Sequence, residues 1–456
     1  MDAAGPRHPP GQPLGGARRP PARSAARVDR ARGGPPAGRG ARTLARGEDR
    51  RLSPVVRAVR AAPGAGAGAA APAATGGARG GGRPAPVSEP IPVLQVVVST
   101  QAGGGPQHVL AVALGLRARG WRPIVAGPAD GALFARFREA GVETLIVRTD
   151  RLSPLTLVRL VRAIRGHGVR LVHSHGKGAG LHGRLAARLT GVPAVHTLHG
   201  IHYERYPAPA RAAYLALERR LSAWTRVVIN VSRSQEREGL ALGLFARGQS
   251  CVILNGVDVA RLTSRALDRW DARAELGLDQ SVPVVGCAAR LDEVKRLDLL
   301  LRAAAMLPAP LATVAVIGHG PEAARLHALV AQLGIAGRVR FAGEVVDAAR
   351  LFPAFDVFAA PSRKEGLPLA VLEAMALGVP VVASDIAAHR EVLGDVSEGL
   401  VEGRVDAFAA RLRAVLGDAA LRARLAAENR TRARSEFDAR GMLAALEGVY
   451  REVLGV

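Results

Sequence analysis

The chain has 456 residues, of which 48% are hydrophobic, and its 63 basic and 39 acidic side chains give a formal net charge of +24. This length exceeds one ordinary hydrophobic core and predicts two domains. Aromatic residues make up only 4%, which disfavours a basic nucleic-acid-binding protein, because such proteins stack bases on aromatic side chains.

Much of the positive charge lies in residues 1–88, a segment rich in Ala, Gly, Pro and Arg. Residues 1–90 contain 16 arginines and five acidic residues. Such a composition cannot bury enough apolar surface to offset chain entropy, so we expect this tail to be disordered. It is either a basic arm for anionic lipid or nucleic acid, or an over-extended translation start.

From residue 89 onward, short β-branched runs alternate with amphipathic stretches, a pattern typical of βαβ units in a parallel sheet. The first series predicts strands at 94–99, 124–126, 144–148, 171–174, 194–198 and 227–230. The second predicts strands at 282–287, 313–317, 339–341, 357–359 and 379–383. We therefore predict an α/β protein with two doubly wound Rossmann-like domains, 89–255 and 256–435, and a final helix within 436–456. Ligands of such sheets bind beyond the carboxyl ends of the strands, so the site is expected in the cleft between the domains.

A glycine run, Gly103, Gly104 and Gly105, follows the first predicted strand and opens a helix. Glycines there let the backbone approach a ligand closely, although tight packing of strand and helix is an alternative explanation. The run lacks the Gly-x-Gly-x-x-Gly pattern and the acidic residue of a dinucleotide site, which disfavours hydride transfer.

Histidines cluster near the ends of two predicted strands. His173 and His175 alternate along one strand and therefore share a face, while His196 and His199 lie in the next. No Asp, Glu or Cys accompanies either run, so we expect no metal. We interpret His173 and His196 as strand histidines whose ring nitrogens bond to neighbours.

Two carboxylates eight residues apart, Glu365 and Glu373, bracket the start of a short apolar helix. Pro368 suits the first helical turn, and Gly378 follows the end of the helix. Glu373 has apolar neighbours, where a carboxylate is costly to bury unless hydroxyls or other donors meet it. The alternative interpretation is one capping and one solvated glutamate.

The loop that enters this helix is a candidate anion site. A helix leaves its first backbone N–H groups unpaired, here those of Gly366 and Leu367 beside Glu365, and unpaired N–H groups favour a phosphate.

The chain contains only three lysines, Lys177, Lys295 and Lys364. Because almost every other cation is Arg, a functional role for a compact ammonium group is a reasonable hypothesis at these positions. The two cysteines, Cys251 and Cys287, lie in apolar runs and predict small core residues rather than a disulfide or a metal site. We find neither a strongly apolar run of about 18 residues nor a signal-peptide pattern, and we expect a cytoplasmic protein.

From about Val93 to the C-terminus the chain resembles the retaining GT-B glycosyltransferases of family 4. The order and spacing of several short motifs carry this resemblance: Glu365-Gly-Leu-Pro-Leu-Ala-Val-Leu-Glu373, Arg290 with Lys295, Gly318-His-Gly-Pro321, Asn255-Gly-Val-Asp258, Gly103-Gly-Gly105 and Thr197-Leu-His-Gly200. It implies two domains that face each other across a cleft and a C-terminal helix, residues 436–456, that packs back on the first domain.

The resemblance also implies roles for individual residues. In the donor site, Glu365 would face the transferred sugar, Glu373 would hold the ribose, and Arg290 with Lys295 would neutralise the diphosphate. The resemblance further assigns a contact with the donor sugar to His199 and a place in the donor site to Gly318, Gly320, Gly366 and Leu367. The acceptor side would be lined by Gly103, Gly104, Gly105, His175 and Lys177.

The activity implied is the transfer of a sugar from a nucleotide diphosphate sugar to a hydroxyl of a saccharide or a lipid-linked acceptor, in cell-surface polysaccharide or glycolipid synthesis. We expect no metal and no cofactor beyond the nucleotide sugar, no specific nucleic acid, and peripheral contact with an anionic membrane. Two alternatives stay open: a non-hydrolysing sugar-nucleotide epimerase of the same fold, and a basic nucleic-acid-binding protein.

Overall fold

The computed structural model describes residues 89–456 except 202, 205 and 309–311. The predicted disordered tail, 1–88, lies outside the described residues. The described chain forms two parallel sheets with connecting helices, which confirms the predicted α/β class and its two Rossmann-like halves.

The first sheet has seven parallel strands in the order β3-β2-β1-β4-β5-β6-β7. Its strands are β1 (Ile91–Val97), β2 (Trp121–Gly127), β3 (Glu143–Ile146), β4 (Leu171–His175), β5 (Ala194–Leu198), β6 (Val227–Asn230) and β7 (Ser250–Val252). The helices between them are α1 (Gly104–Arg117), α2 (Ala132–Glu139), α3 (Pro154–Gly166), α4 (Lys177–Thr190), α5 (Ala208–Ser222) and α6 (Arg233–Ala241).

The second sheet has six parallel strands in the order β10-β9-β8-β11-β12-β13. Its strands are β8 (Val284–Ala288), β9 (Thr313–Ile317), β10 (Val339–Gly343), β11 (Val357–Ala360), β12 (Val381–Ser384) and β13 (Leu400–Val401). The helices of this half and of the C-terminal segment are α7 (Val259–Arg265), α8 (Arg269–Leu276), α9 (Leu297–Ala305), α10 (Ala323–Gln332), α11 (Leu369–Ala376), α12 (Ala387–Leu393), α13 (Val405–Gly417), α14 (Ala419–Glu436) and α15 (Ala439–Leu454).

All eleven predicted strands are present, with ends shifted by at most three residues. The sequence interpretation missed β7 and β13, which have three and two residues. Each lies at the edge of its sheet, and strands this short carry no periodic signal.

The last helix, α15, belongs to the core of the first sheet. Its buried Met442, Leu446 and Tyr450 pack in one cluster with Val93 and Leu171 of the strands. The two crossings between the sheets are bonded to each other, because the N–H of Val257 donates to the carbonyl of Phe437 at 2.8 Å and the N–H of Ala439 donates to the carbonyl of Val257 at 3.0 Å. The C-terminal segment therefore ties the second sheet to the first.

None of the described helices combines the length and apolar character needed to cross a bilayer.

The packing of α15 predicts a large stability effect at Leu446, which is only 2% exposed. We expect Leu446→Ala to lower the free energy of unfolding by about 2–5 kcal/mol, because it leaves a cavity between helix and sheet. Val456→Ala, at a 57% exposed position just after the same helix, should change it by less than about 0.5 kcal/mol. Urea unfolding measures both, and equal stability of the two variants would contradict the packing.

Candidate active site in the cleft between the sheets

The loops after β1 and β5 of the first sheet meet the loop before α11 of the second. A side chain at Gly366 would come within 3.0 Å of the carbonyl oxygen of His199, and one at Gly104 would lie 3.9 Å from Leu369. A side chain at Gly105 would likewise lie 3.8 Å from the ring of His199. The glycines of both loops therefore permit close approach across the cleft.

A partly buried ion pair joins two loops of the second sheet, with side chains that are 24% and 12% exposed. Nζ of Lys295 is 2.6 Å from Oε1 of Glu365, and the hydroxyl of Ser362 donates to the same oxygen at 2.7 Å. Lys295 ends a single turn after β8, and Glu365 lies in the loop between β11 and α11. These loops are adjacent because β8 and β11 pair in the sheet.

The pair holds both groups in their charged forms. Burial alone would raise the pKa of Glu365, but the charge of Lys295 and hydrogen bonds from Lys295 and Ser362 hold it below the usual value. Burial likewise works to lower the pKa of Lys295, and Glu365 raises it instead. Glu365 is thus an anion at neutral pH, held by a cation that it also orients.

Glu373, on the first two turns of α11, has no such partner. It is half-buried, and no described residue donates a hydrogen bond to its carboxylate. Desolvation, and then the nearby charge of Asp347, raise its pKa to about 8. The two glutamates therefore differ in environment as the sequence pattern suggested, and Glu373 has unused acceptor capacity.

Arg290 follows β8 directly and points into an exposed region, and no described residue pairs with its guanidinium. The loop of Gly318 and Gly320 lies against the Arg290 loop: a Cβ at Gly318 would lie 1.9 Å from the carbonyl oxygen of Ala289, and one at Gly320 would lie 2.3 Å from that of Leu291. These glycines are needed where two strand-end loops touch, so they position Arg290.

The loop before α11 leaves donors unpaired, but the helix begins at Leu369 and Pro368 is its extended N-cap, so Gly366 and Leu367 precede the helix and their N–H groups are not, as predicted, those of its first turn. No described acceptor bonds to the N–H of Gly366 or Leu367. The carbonyl of Leu367 accepts from Nδ2 of Asn255 at 3.2 Å, and the Leu367 side chain lies in the core. Leu367 can therefore serve a ligand only through its backbone.

On the first-sheet side, three histidine rings from three elements form one cluster. Nδ1 of His175, at the end of β4, is 3.2 Å from Nε2 of His199. His108 of α1 packs its ring against that of His199, with centroids 4.9 Å apart. Burial lowers the pKa of all three rings, which are therefore neutral.

The ring nitrogens of His108, His175 and His199 lie within 4.8 Å of one another, the one trio among the described residues with a spacing that could hold a metal ion. Nε2 of His175 is 2.7 Å from Oε1 of Gln95, so both of its nitrogens already have partners. A metal would therefore have to displace one of the two His175 bonds, whereas Nδ1 of His108 is buried without a hydrogen-bond partner among the described atoms.

The remaining two lysines are held by protein groups. Lys177 lies over the rings of Tyr206 and Tyr214, at 4.1 and 3.9 Å from their centroids. Lys364 crosses between the domains, where it donates to the carbonyl of Ile201 at 2.9 Å and pairs with Glu204 and Glu238 at 2.5 and 2.7 Å. Lys364 thus fixes the loop between β11 and α11 against the first domain.

The other predicted strand histidines have neighbours as interpreted, although one ring nitrogen is an exception. His173 is bonded to Tyr450 at 2.5 Å and to Thr197 at 2.7 Å. His196 bonds through Nδ1 to Ser174 at 2.9 Å, while its Nε2 is buried without a partner among the described atoms.

Sequence reasoning missed His108, Ser362 and the crossing made by Lys364. His108 follows Gly105 by three residues, a spacing that puts both on one helix face, so this signal was available. Ser362 and Lys364 carry no such periodic signal, because their partners are distant in sequence or set by a loop.

Two family descriptions match most of the described chain. Residues 268–432 match the family described as "Glycosyl transferases group 1", and residues 102–261 match "Glycosyltransferase Family 4". The first match includes both glutamates and the Arg290 loop, and the second includes the glycine run and His199.

The curated relatives include two kinds of glycosyltransferase. The chain is 35% identical over 210 residues to the lipopolysaccharide core biosynthesis mannosyltransferase LpsB of Rhizobium meliloti (strain 1021), covering 43% of this chain and 60% of that protein. It is 34% identical over 317 residues to a D-inositol 3-phosphate glycosyltransferase of Geodermatophilus obscurus, covering 65% of this chain and 68% of that one. Alignments with the first relatives thus span about three fifths of their length.

Among solved structures, HepE of Anabaena in complex with UDP-glucose superposes with a TM-score of 0.71 at 24% identity, over 79% of this chain and all of that one. WaaG, described as a glycosyltransferase involved in lipopolysaccharide biosynthesis, superposes with a TM-score of 0.62 at 16% identity, over 80% of this chain and all of that one. These likenesses show a shared GT-B fold.

The raised pKa of Glu373 makes a prediction about stability. Between about pH 4.5 and 8 the folded chain keeps a proton that the unfolded chain releases, so this residue lowers the free energy of unfolding as pH rises through that window. Glu373→Gln cannot ionise and should match the wild type near pH 5 but melt higher at pH 8.5. Thermal midpoints across pH 5–9 measure this difference. A difference in thermal midpoint between wild type and Glu373→Gln that stays constant across this pH range would contradict the raised pKa of Glu373.

Proposed function

This chain belongs to glycosyltransferase family 4, the glycosyl transferases group 1, and we propose that it is a retaining enzyme that moves a sugar from a nucleotide diphosphate sugar to a hydroxyl of a saccharide or lipid-linked acceptor. The observation that supports this most is the Lys295–Glu365 pair, together with an unpaired Arg290 in the loop that leads from β8 to Lys295 and an unpaired Glu373 on the helix that follows Glu365. The cations Arg290 and Lys295 match the diphosphate of a nucleoside diphosphate, and the free carboxylate of Glu373 matches its ribose.

The diphosphate would lie between Arg290, Lys295 and the unpaired N–H groups of Gly366 and Leu367. Negative charge develops on the leaving diphosphate as the glycosidic bond breaks, and fixed cations and N–H groups stabilise such charge without reorganisation. Lys295 reaches the phosphate only if it shares its protons between the phosphate and Glu365, so donor binding would loosen the pair.

The ribose hydroxyls would donate to Glu373. Each hydrogen bond stabilises the ionised carboxylate, so binding of the donor would lower the pKa of Glu373 and release a proton near neutral pH. Donor affinity should then rise with pH between 6.5 and 8.5.

The chemical step needs no protein nucleophile. The bond between the anomeric carbon and the phosphate oxygen breaks, the acceptor oxygen forms a bond to that carbon on the same face, and the acceptor proton passes to the leaving phosphate. We give Glu365 the task of orienting the sugar, because its carboxylate oxygen Oε1 is occupied by Lys295 and Ser362. A covalent double displacement would require a second carboxylate across the reacting bond.

We also propose contact with an anionic membrane, through the segment that leads from β3 into α3. Leu152, Leu155 and Val158 are 74%, 57% and 44% exposed, and Arg159 and Arg162 are exposed on the same side of the helix. The apolar end of this face follows β3, whose carboxyl end lies on the cleft side of the sheet. A lipid-linked acceptor held at this surface would therefore reach the cleft from the edge of the first domain.

The donor site predicts different effects of single substitutions on binding and turnover. We would first identify the donor by thermal shift with UDP, GDP, ADP and their sugars, starting with UDP-glucose. Arg290→Ala should weaken donor binding by about 1.5–3 kcal/mol, the value of a charge-assisted contact. Glu365→Gln frees Lys295 for the phosphate and should not weaken the affinity for the nucleoside diphosphate, whereas the activation free energy of turnover should rise by about 2–4 kcal/mol.

Calorimetry and steady-state rates measure these effects. Arg404→Ala is the control, because Arg404 is exposed and pairs only locally with Glu402 and Asp406. Donor affinity that is equal in Arg290→Ala and Arg404→Ala would rule out the proposed diphosphate site. Full turnover by Glu365→Gln would rule out its role in orienting the sugar.

Membrane contact is tested by sedimentation of the full chain with vesicles of phosphatidylglycerol and phosphatidylcholine. Replacing Arg159 and Arg162 together with Glu should weaken binding by more than about 2 kcal/mol, at about 1 kcal/mol per cation lost. Leu152→Ser with Leu155→Ser should also weaken binding, whereas Val396→Ser, at a 96% exposed position of the second domain, should not. Unchanged sedimentation of both α3 variants would show that another part of the chain binds the vesicles.

A further inference from the structure

A chain of buried hydrogen bonds runs from the last helix to the cleft. The hydroxyl of Tyr450 on α15 accepts from Nε2 of Gln95 on β1 at 2.9 Å. Oε1 of Gln95 is 2.7 Å from Nε2 of His175, and Nδ1 of His175 is 3.2 Å from Nε2 of His199. Tyr450 and Gln95 are fully buried and His175 nearly so, so water does not compete for these bonds.

The two imidazole rings in this series of hydrogen bonds, those of His175 and His199, are neutral. Burial, followed by the charges of neighbouring histidines, lowers the pKa of His175 and His199 well below the usual value. A neutral imidazole has one N–H donor and one acceptor nitrogen. The direction of one hydrogen bond therefore fixes the direction of the next.

The orientation of Gln95 sets that direction. Its carbonyl oxygen faces His175, so Nε2 of His175 must donate and Nδ1 of His175 must accept. His199 then donates through its Nε2, which leaves Nδ1 of His199 with a lone pair. No described residue is bonded to this Nδ1.

Tyr450 is held in place by its own contacts. Its ring lies edge-on to that of Trp121, with centroids 5.4 Å apart. Its hydroxyl, having accepted from Gln95, donates its proton to Nδ1 of His173 at 2.5 Å, and Nε2 of His173 donates to Thr197 at 2.7 Å. Each of the hydrogen bonds that join Gln95, Tyr450, His173 and Thr197 thus has one proton. Exchanging the amide oxygen and nitrogen of Gln95 would require every one of these protons to move.

We propose that Tyr450 is a positioning residue which, through Gln95 and His175, keeps the proton of His199 on Nε2 and presents Nδ1 as a hydrogen-bond acceptor to a hydroxyl of the donor sugar. The last part rests on the proposed glycosyl transfer, whereas the proton placement does not. The C-terminal helix thereby contributes to the site from beneath the sheet, without touching substrate.

The tautomer of His199 can be read by long-range ¹H–¹⁵N NMR of the full chain labelled at histidine, with the His199 signals assigned by their loss in His199→Asn. In the wild type, Nδ1 should show the shift of an unprotonated imidazole nitrogen. Tyr450→Phe and Gln95→Leu each remove a link and should give a mixture of tautomers. We expect kcat to fall by about 3- to 10-fold in Tyr450→Phe, the effect of one hydrogen bond, with unchanged affinity for the nucleoside diphosphate.

Leu446→Ala is the matched control, because it loosens the same helix without touching the chain of hydrogen bonds and should leave the tautomer unchanged. A proton on Nδ1 of His199 in the wild type would overturn the proposal. Retention of the proton on Nε2 in both Tyr450→Phe and Gln95→Leu would also overturn it. Because the tautomer is measured without substrate, the expected shifts in a chain that binds no nucleotide sugar would support the proton placement and contradict the proposed function instead.

Discussion

The ion pair between Lys295 and Glu365 is the constraint on which the rest of the cleft depends. Each group depends on the other, because partial burial disfavours the charged form of both and the opposite charge offsets that cost. The turn after β8 and the loop before α11 must therefore stay together, and the hydroxyl of Ser362 and the crossing of Lys364 hold that loop in place. The unpaired N–H groups of Gly366 and Leu367 in that loop are fixed as a consequence.

The two glutamates, one in the loop before α11 and one on that helix, have opposite environments. Glu365 is kept charged by its partner, whereas Glu373 is left without one and its pKa rises to about 8. An unpaired, half-buried carboxylate lowers stability at neutral pH, and a site that must accept ligand hydroxyls requires such a group. The stability lost at Glu373 would be offset by the proposed hydrogen bonds from the ribose hydroxyls.

Local patterns in the sequence were sufficient to predict the strands and helices, because these depend on neighbouring residues. Strands buried on both faces appear as β-branched runs, and the helix between Glu365 and Gly378 follows from its proline and glycine. The pairing of Lys295 with Glu365 spans 70 residues and depends on the order of strands, which no local pattern determines. The same holds for the cluster of His108, His175 and His199, and for Tyr450, whose hydroxyl reaches β1 from the last helix.

In the proposed reaction, donor breakdown and same-face attack occur in one cleft, so the configuration of the product is the most direct test of the mechanism. ¹H NMR can follow the anomeric signal of the sugar that is released or transferred from an α-linked nucleotide sugar shown to bind. If the enzyme retains the configuration as proposed, the α anomer forms first and Arg290→Ala slows its formation. A product that appears first as the β anomer, or a nucleotide sugar that is isomerised without transfer, would contradict this mechanism.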